Sequence, residues 1–128
     1  MLVRNHTAED YPAFCEWWKA WGWPAIPYEF LPPNSLVICE DSDKPICAVF
    51  LYRTDSPVIW AEHYISDRAA PDRREAMVAL IDYIKPRAKE LGAIAVMSAV
   101  KHNGLARRLS DAGFVKGDEK LTNYILAV

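Results

Sequence analysis

The sequence predicts an α/β (α+β) fold, in which a mixed, mostly antiparallel and twisted sheet carries helices on both faces. Between residues 35 and 65, three apolar segments alternate with two short polar turns, which is typical of an antiparallel meander. Further on, a long amphipathic helix pattern from Arg74 to Leu91 leads into a strand pattern from Ala93 to Val100. At 128 residues the chain has the size of one domain, so we expect 1–128 to form a single unit.

The first third of the chain predicts a short strand followed by a helix. Leu2 to Asn5 is the strand candidate, and Thr7 is expected to cap a helix from about Ala8 to Trp21, whose apolar side chains recur every three or four residues. Gly22 is expected to end this helix. The segment from Trp23 to Asn34 contains four prolines, so we expect a loop with at most one turn of helix.

The middle of the chain predicts three consecutive strands. They run from Ser35 to Glu40, from Ile46 to Arg53 and from Val58 to Ile65, and each is rich in apolar strand formers. Two polar turns rich in aspartate and serine separate them. A break from Asp67 to Pro71 then precedes the long helix.

The long helix contains Pro86, which removes one backbone donor, so we expect a kink or an early end there. Gly92 is expected to end the helix before the next strand. A short helix then ends at Ala112-Gly113-Phe114, and the final apolar run, Leu121 to Val128, predicts the last strand of a terminal hairpin.

This order of elements and several short motifs resemble the GNAT superfamily of N-acyltransferases. Chains of that family commonly carry N-x-x-A, a helix and then G-F before the last hairpin, and the matching residues here are Asn103, Ala106, Gly113 and Phe114. The opening segment is similar to the family's first strand and helix start, so the resemblance extends from residue 3 to residue 128. It implies a GNAT-like fold, use of acetyl-CoA as acyl donor and an amine as acceptor.

The resemblance also implies where the donor binds. In the family, the pantetheine arm pairs with the exposed edge of the strand before the long helix, and the pyrophosphate lies on the N-terminus of that helix, where free amides favour an anion. The family's loop there usually contains glycines, in the pattern Q/R-x-x-G-x-G/A, whereas residues 71–78 contain none. The implied cofactor-binding residues are Ile65, Arg73, Arg74, Glu75, Ala76, Met77 and Asn103.

Several of these residues have a second interpretation. Arg73 and Arg74 are candidates for pairing with phosphate oxygens, but they are equally typical of a solvated first helical turn. Asn103 is a candidate for binding the pantetheine arm or for capping the short helix. A further interpretation is that the side chain of Met77 or Arg74 fills the opening in which the cofactor would bind.

For catalysis, Glu62 resembles the position from which the family often supplies a general base. An exposed strand residue paired with lysine or arginine is the alternative interpretation. His63 is expected to face away from Glu62, because neighbouring strand residues alternate. Leu109 stands at the position where the family usually has a tyrosine acid. Three other tyrosines are candidates for this role: Tyr64, Tyr83 and Tyr124. We take Tyr64 as the candidate acid.

Four of the five tryptophans crowd into seven residues near the end of the first predicted helix. They are Trp17, Trp18, Trp21 and Trp23. One helix face cannot bury all of them, since consecutive residues lie about 100° apart. We consider an aromatic acceptor pocket, a surface for a protein partner or a homodimer, and a core beneath the proline-rich loop, which we expect for at least two of them.

Composition excludes several function classes. A net charge of −2 gives no footprint for nucleic acid, and no segment is apolar for long enough to suggest a signal peptide or a membrane span. The three cysteines show no CxxC spacing, and the three histidines show no metal-ligand spacing, so we expect no metal and a cytoplasmic location.

Two functional hypotheses therefore stand. The first is an N-acetyltransferase that moves an acetyl group from acetyl-CoA to an amine on a small molecule or a protein. The second is a GNAT-fold binding or structural protein without catalysis, of the sort that phages or mobile elements encode, acting through a partner surface. The missing loop glycines and Leu109 favour the second, and the series of fold motifs together with the arginine pair favours the first.

Overall fold

The computed structural model describes residues 1–128 and contains five strands and three α-helices. Two short 3-10 turns, Ala8–Asp10 and Tyr28–Phe30, accompany them. The strands are β1 (Leu2–Arg4), β2 (Ser35–Cys39), β3 (Pro45–Arg53), β4 (Val58–Ser66) and β5 (Ala95–Met97), and the helices are α1 (Tyr11–Trp21), α2 (Arg73–Glu90) and α3 (Asn103–Asp111).

The five strands form one sheet in the order β1-β2-β3-β4-β5. The first four pair with one another in antiparallel fashion, and β5 runs parallel to β4, to which α2 connects it. This mixed α/β arrangement confirms the predicted fold class. The three middle strands lie within two residues of their predicted bounds.

The sheet has an apolar core on each face. On one face, Leu80 and Ile84 of α2 belong to the same core cluster as Leu36 of β2, and we call this cluster the α2 core. On the other face, Phe14 of α1 joins Val37 of β2 in a second cluster, the α1 core. Since successive strand residues point to opposite faces, β2 is buried along its whole length.

A partly buried ion pair fixes the start of α1 against the sheet. The guanidinium of Arg4 on β1 donates two hydrogen bonds to the Asp10 carboxylate, at 2.7 and 2.9 Å. The Thr7 amide donates a third to the same carboxylate at 2.7 Å. Burial alone would raise the pKa of Asp10, but the hydrogen bonds from Arg4 and Thr7 outweigh it and hold the pKa below its usual value.

Helix α2 continues past Pro86 to Glu90, so the predicted early end there is wrong. The ring removes one helical hydrogen bond, but the helix buries side chains on both sides of it. Ile84 and Ala88 both belong to the α2 core. Their burial holds the last turn in place.

The C-terminal part of the chain differs most from the prediction. The strand expected from Ala93 to Val100 is reduced to β5, three residues long. The segment Leu121–Val128 forms no strand, and all of its side chains are exposed, so the predicted terminal hairpin is absent. Strand propensity alone does not make a strand, because a strand needs a hydrogen-bonded neighbour and a surface to pack on.

Three further findings concern membrane-spanning helices, the cysteines and metal-binding groups. No helix combines the length and the apolar character that crossing a lipid bilayer requires. All three cysteines are free, and Cys39 and Cys47 are buried. No group of three or more histidine, cysteine, aspartate or glutamate side chains is arranged to hold a metal ion.

Candidate active site

Strands β4 and β5 separate at one edge of the sheet. They pair only from Val58 to Trp60 on β4 and from Ala95 to Met97 on β5. Beyond Trp60, β4 continues to Ser66 with β3 as its one partner. The backbone of β4 therefore presents an open edge beside the N-terminus of α2.

A β-bulge lies at the start of this open edge. Glu62 pairs with Phe50 and Ile65 pairs with Ala48, which leaves two residues of β4 opposite one residue of β3. The first of the two, His63, has φ 61°, in the left-handed region that non-glycine residues rarely adopt. Such a conformation costs about 1–3 kcal/mol and tends to occur at functional sites.

The bulge reverses the alternation of side chains along β4. Ala61, before it, belongs to the α2 core, whereas Ile65, an even number of residues later, belongs to the α1 core. His63 now lines the same cavity as Trp60 and Glu62, so the expectation that it faces away from Glu62 is wrong. Strict alternation fails here because the bulge inserts one residue.

Glu62 is half-buried beside the opening. One of its carboxylate oxygens accepts a hydrogen bond from the Ala99 amide at 3.1 Å, which ties β4 to the segment after β5. No lysine or arginine forms a salt bridge with it, in contrast to the alternative of a paired surface residue. Burial raises the pKa of Glu62 despite the bond from Ala99, so the carboxylate binds a proton more readily than usual.

Tyr64 also reaches across the opening. Its hydroxyl lies 2.8 Å from the Ser98 hydroxyl, which in turn donates to the Ala61 carbonyl at 2.6 Å. Since the one proton of Ser98 is used in that bond, the Tyr64 hydroxyl is the donor to Ser98. Burial raises the pKa of Tyr64 to about 12. The other two tyrosines considered for the acid, Tyr83 and Tyr124, are exposed.

The N-terminus of α2 offers free backbone donors. The amides of Arg74 and Glu75 have no acceptor within the chain, whereas the Ala76 amide binds the Asp72 carbonyl at 2.9 Å. Such unpaired amides at a helix N-terminus attract anions. Arg74 is exposed beside them and forms no salt bridge.

Three of the predicted cofactor-binding side chains point into the protein. Ala76 and Met77 belong to the α2 core, so Met77 packs in that core. Ile65 is buried in the α1 core, which leaves its backbone as the part that a ligand at the strand edge would meet. Asn103 is exposed as the first residue of α3, whose N-cap is His102, so Asn103 does not cap the helix.

An aromatic cluster connects the end of α1 to the end of β4 and the start of α2. The sequence pattern did not reveal this connection. The Trp21 indole donates to the Ser66 carbonyl at 3.0 Å and stacks on Trp23, with ring centroids 5.5 Å apart. The guanidinium carbons of Arg68 and Arg73 lie 4.7 and 5.4 Å from the centre of the Trp21 ring. Arg73 is therefore held by a cation–π contact at the start of α2.

The other tryptophans of this region are structural. Trp17 and Trp18 are 6% and 3% exposed and belong to the α1 core. This confirms the expectation that at least two of the four fill a core. Trp23 is exposed and stacks on Trp21.

A cavity of about 400 Å³ lies on the α1 side of the opening. Glu62 is its one acidic residue, and the Tyr52 hydroxyl donates to the Phe30 carbonyl at 2.8 Å, which fixes the proline-rich loop against β3. Because side chains alternate along a strand, the sequence alone places Trp60 and Glu62 on one face of β4. Tyr52 of β3 and Ile125 of the C-terminal segment join them at the cavity only in the folded chain. The lining residues are Phe30, Tyr52, Trp60, Glu62, His63 and Ile125.

Neither a protein-family model nor a curated protein matches the sequence. Solved structures do match the fold. A putative acetyltransferase from Agrobacterium tumefaciens str. C58 is 12% identical with a TM-score of 0.72, and the match covers 98% of this chain and 100% of that one. Glucosamine-6-phosphate N-acetyltransferase from Arabidopsis thaliana is 12% identical with a TM-score of 0.70, over 96% and 97% of the two chains.

A transcriptional regulator from Bacillus halodurans C-125 is also similar, at 13% identity and a TM-score of 0.76, over 97% of this chain and 99% of that one. At these identities the matches concern the fold. Their coverage of nearly the whole chain supports the mixed α/β fold predicted from the sequence. The chain has a GNAT-like fold.

Proposed function

We propose that this chain is an N-acetyltransferase that moves an acetyl group from acetyl-CoA to an amine. The observation that carries the proposal is Glu62, a half-buried carboxylate with no cationic partner, which lines a cavity where β4 and β5 separate. Its raised pKa suits a group that must take a proton from an ammonium ion. A reducing cytoplasm is the location we propose, since all three cysteines are free.

The N-terminus of α2 fits the pyrophosphate of acetyl-CoA, although the turn lacks glycine. The family motif aligns in two registers. Aligned from Arg73, it has Ala76 and Val78 at the glycine positions, and counted back from Gly92, it has Glu75 and Met77 there. In the first register, the methyl group of Ala76 is buried in the α2 core, away from solvent. The free amides of Arg74 and Glu75 remain accessible to an anion. Arg73 and Arg74 add two positive charges, which balance the two negative charges of Asp72 and Glu75.

When bound, acetyl-CoA supplies an acyl carbon activated by a thiol leaving group. Glu62 accepts a proton from the acceptor's ammonium group, directly or through water, which frees the nitrogen lone pair. The nitrogen forms a bond to the acyl carbon as the bond from that carbon to sulfur breaks. Tyr64, whose hydroxyl carries its proton at neutral pH like any tyrosine, is our candidate to give a proton to the thiolate. Of the two protons that the ammonium loses, one balances this transfer and the other goes to solvent.

The first test is calorimetric titration of acetyl-CoA and CoA into the purified protein and its Arg73→Ala and Arg74→Ala variants. Micromolar binding to the parent protein is expected, weakened about tenfold in each variant by loss of a charge-assisted phosphate contact. Lys89→Ala is the matched control, because it removes one positive charge from the opposite end of the same helix. It should leave the affinity unchanged.

Absence of binding at millimolar acetyl-CoA would overturn the transferase proposal. The competing hypothesis of a GNAT-fold binding protein would then lead, with the Trp21–Trp23 stack as its exposed aromatic surface. Equal weakening by Lys89→Ala would instead assign the effect to the overall charge of the helix rather than to a phosphate site.

A further inference from the structure

The residues that line the cavity beside Glu62 favour some amines over others as ligands. Three aromatic rings, those of Phe30, Tyr52 and Trp60, line it together with the imidazole of His63. Rings arranged around one carboxylate attract a cation by two routes, through the charge of Glu62 and through the negative faces of the rings. A cavity of about 400 Å³ suits a compact organic molecule.

The same lining residues carry no positive charge that could bind a carboxylate or a phosphate. No lysine or arginine lines the cavity. Burial lowers the pKa of His63, so this imidazole is neutral at physiological pH. The pKa of Tyr52 rises to about 12, first because of burial and then because of the nearby Glu62 charge, so its hydroxyl is also neutral. The carboxylate of Glu62 is therefore the one charge in the cavity.

On the basis of the proposed function, we infer that the acceptor is a compact monoamine whose remaining part is apolar or aromatic and carries no carboxylate or phosphate. Its ammonium group binds Glu62, and its apolar part lies against the rings of Trp60 and Phe30. A carboxylate or phosphate on the acceptor would lie close to the Glu62 carboxylate with no cation among the lining residues, and the two negative charges would repel each other. Amino acids and sugar phosphates are thus excluded as good acceptors.

The test measures acceptor binding by calorimetry in the absence of acetyl-CoA, with a matched series of probes. The series is 2-phenylethylamine, its uncharged analogue 2-phenylethanol, its carboxylated analogue phenylalanine, and glucosamine 6-phosphate. We expect 2-phenylethylamine to bind about tenfold more tightly than the other three, because it alone combines the cation with an uncharged apolar part. Equal or tighter binding of phenylalanine or glucosamine 6-phosphate would overturn the inference, as would no binding of 2-phenylethylamine at millimolar concentration.

Two variants test whether 2-phenylethylamine binds in this cavity. Glu62→Gln should weaken 2-phenylethylamine about tenfold and leave 2-phenylethanol unchanged, since only the charge is lost. Phe30→Leu, at an exposed ring, should weaken the amine about threefold without unfolding the protein. Unchanged binding of the amine to both variants would place its site elsewhere.

The outcomes separate this inference from the proposed function. Binding of 2-phenylethylamine without any binding of acetyl-CoA would retain the amine site and remove the transferase. Binding of acetyl-CoA, together with acetyl transfer to phenylalanine at least as fast as to 2-phenylethylamine, would retain the transferase and remove this choice of acceptor.

Discussion

Glu62 is a residue whose environment opposes its own ionisation. Its carboxylate is half-buried, receives one hydrogen bond from a backbone amide and has no cation beside it. A base in this setting has a higher proton affinity than a solvated glutamate. The proposed role therefore makes two linked predictions, one for activity and one for stability.

For activity, Glu62→Gln should lower kcat about 100-fold or more, because glutamine has the shape of glutamate but accepts no proton. In the parent protein, kcat/KM should rise with pH through a pKa above the ordinary glutamate value of 4.5, as the carboxylate ionises. Steady-state kinetics across pH would measure both. An unchanged kcat in a folded variant would remove Glu62 from the mechanism.

For stability, the same substitution should raise the free energy of unfolding at pH 7. The folded-state pKa of Glu62 lies above the unfolded value near 4.5, so ionisation costs stability as pH rises through the interval between the two pKa values. Glutamine avoids that cost and still accepts the bond from Ala99. Urea unfolding at pH 7 should show the gain, and at pH below the unfolded pKa the gain should vanish. A variant that is less stable at pH 7 would contradict this.

His63 stores backbone strain at the bulge. At φ 61°, a glycine has no Cβ to clash, whereas an alanine retains the strain and loses the imidazole. We expect His63→Gly to be more stable than His63→Ala by about 1 kcal/mol, as measured by urea unfolding. If alanine were equal or better, the left-handed conformation at this position would be in doubt.

At the scale of elements, the Arg4–Asp10 pair joins β1 to the start of α1. Asp10→Asn should cost about 2–3 kcal/mol at pH 7, because it leaves a partly buried guanidinium with a weakened partner. Asp43 also accepts a hydrogen bond from Arg4, at 2.7 Å, but its carboxylate is exposed. Asp43→Asn is thus the matched control and should cost less than about 1 kcal/mol.

The pH dependence of this pair has a defined sign. The folded-state pKa of Asp10 lies below its ordinary value of 3.8, so its stabilising contribution is present above that value. It is lost as pH falls through the folded-state pKa. The difference in stability between the parent and Asp10→Asn should therefore shrink in acid, and thermal unfolding at several pH values would show it. A constant difference would mean that the ion pair is not its source.

At the scale of the whole molecule, the C-terminal segment contributes little to the core. Residues 121–128 are exposed throughout and form no strand. Their deletion should change the free energy of unfolding by less than about 0.5 kcal/mol, because these side chains, including Ile125 at the cavity, bury little apolar area. Urea unfolding of the shortened chain is the measurement. A loss of several kcal/mol would show that the segment packs on the sheet or on another chain.

The sequence determined those parts of the protein that depend on local pattern. Apolar segments separated by polar turns predicted the middle strands, helical periodicity predicted α1 and α2, and the motif around Asn103 and Gly113 indicated the fold. Glu62 also came from that resemblance, since its position on the strand before the long helix depends only on order along the chain.

Tertiary structure alone decided how the cavity is built and where the predicted contacts lie. The bulge that turns His63 toward Glu62 depends on pairing with β3, and the capture of Arg73 by Trp21 depends on contact between α1 and α2. The missing terminal strand likewise depends on whether a neighbour is available. Register, strain and contact between distant segments are properties of paired elements, so the pattern of a single segment does not contain them.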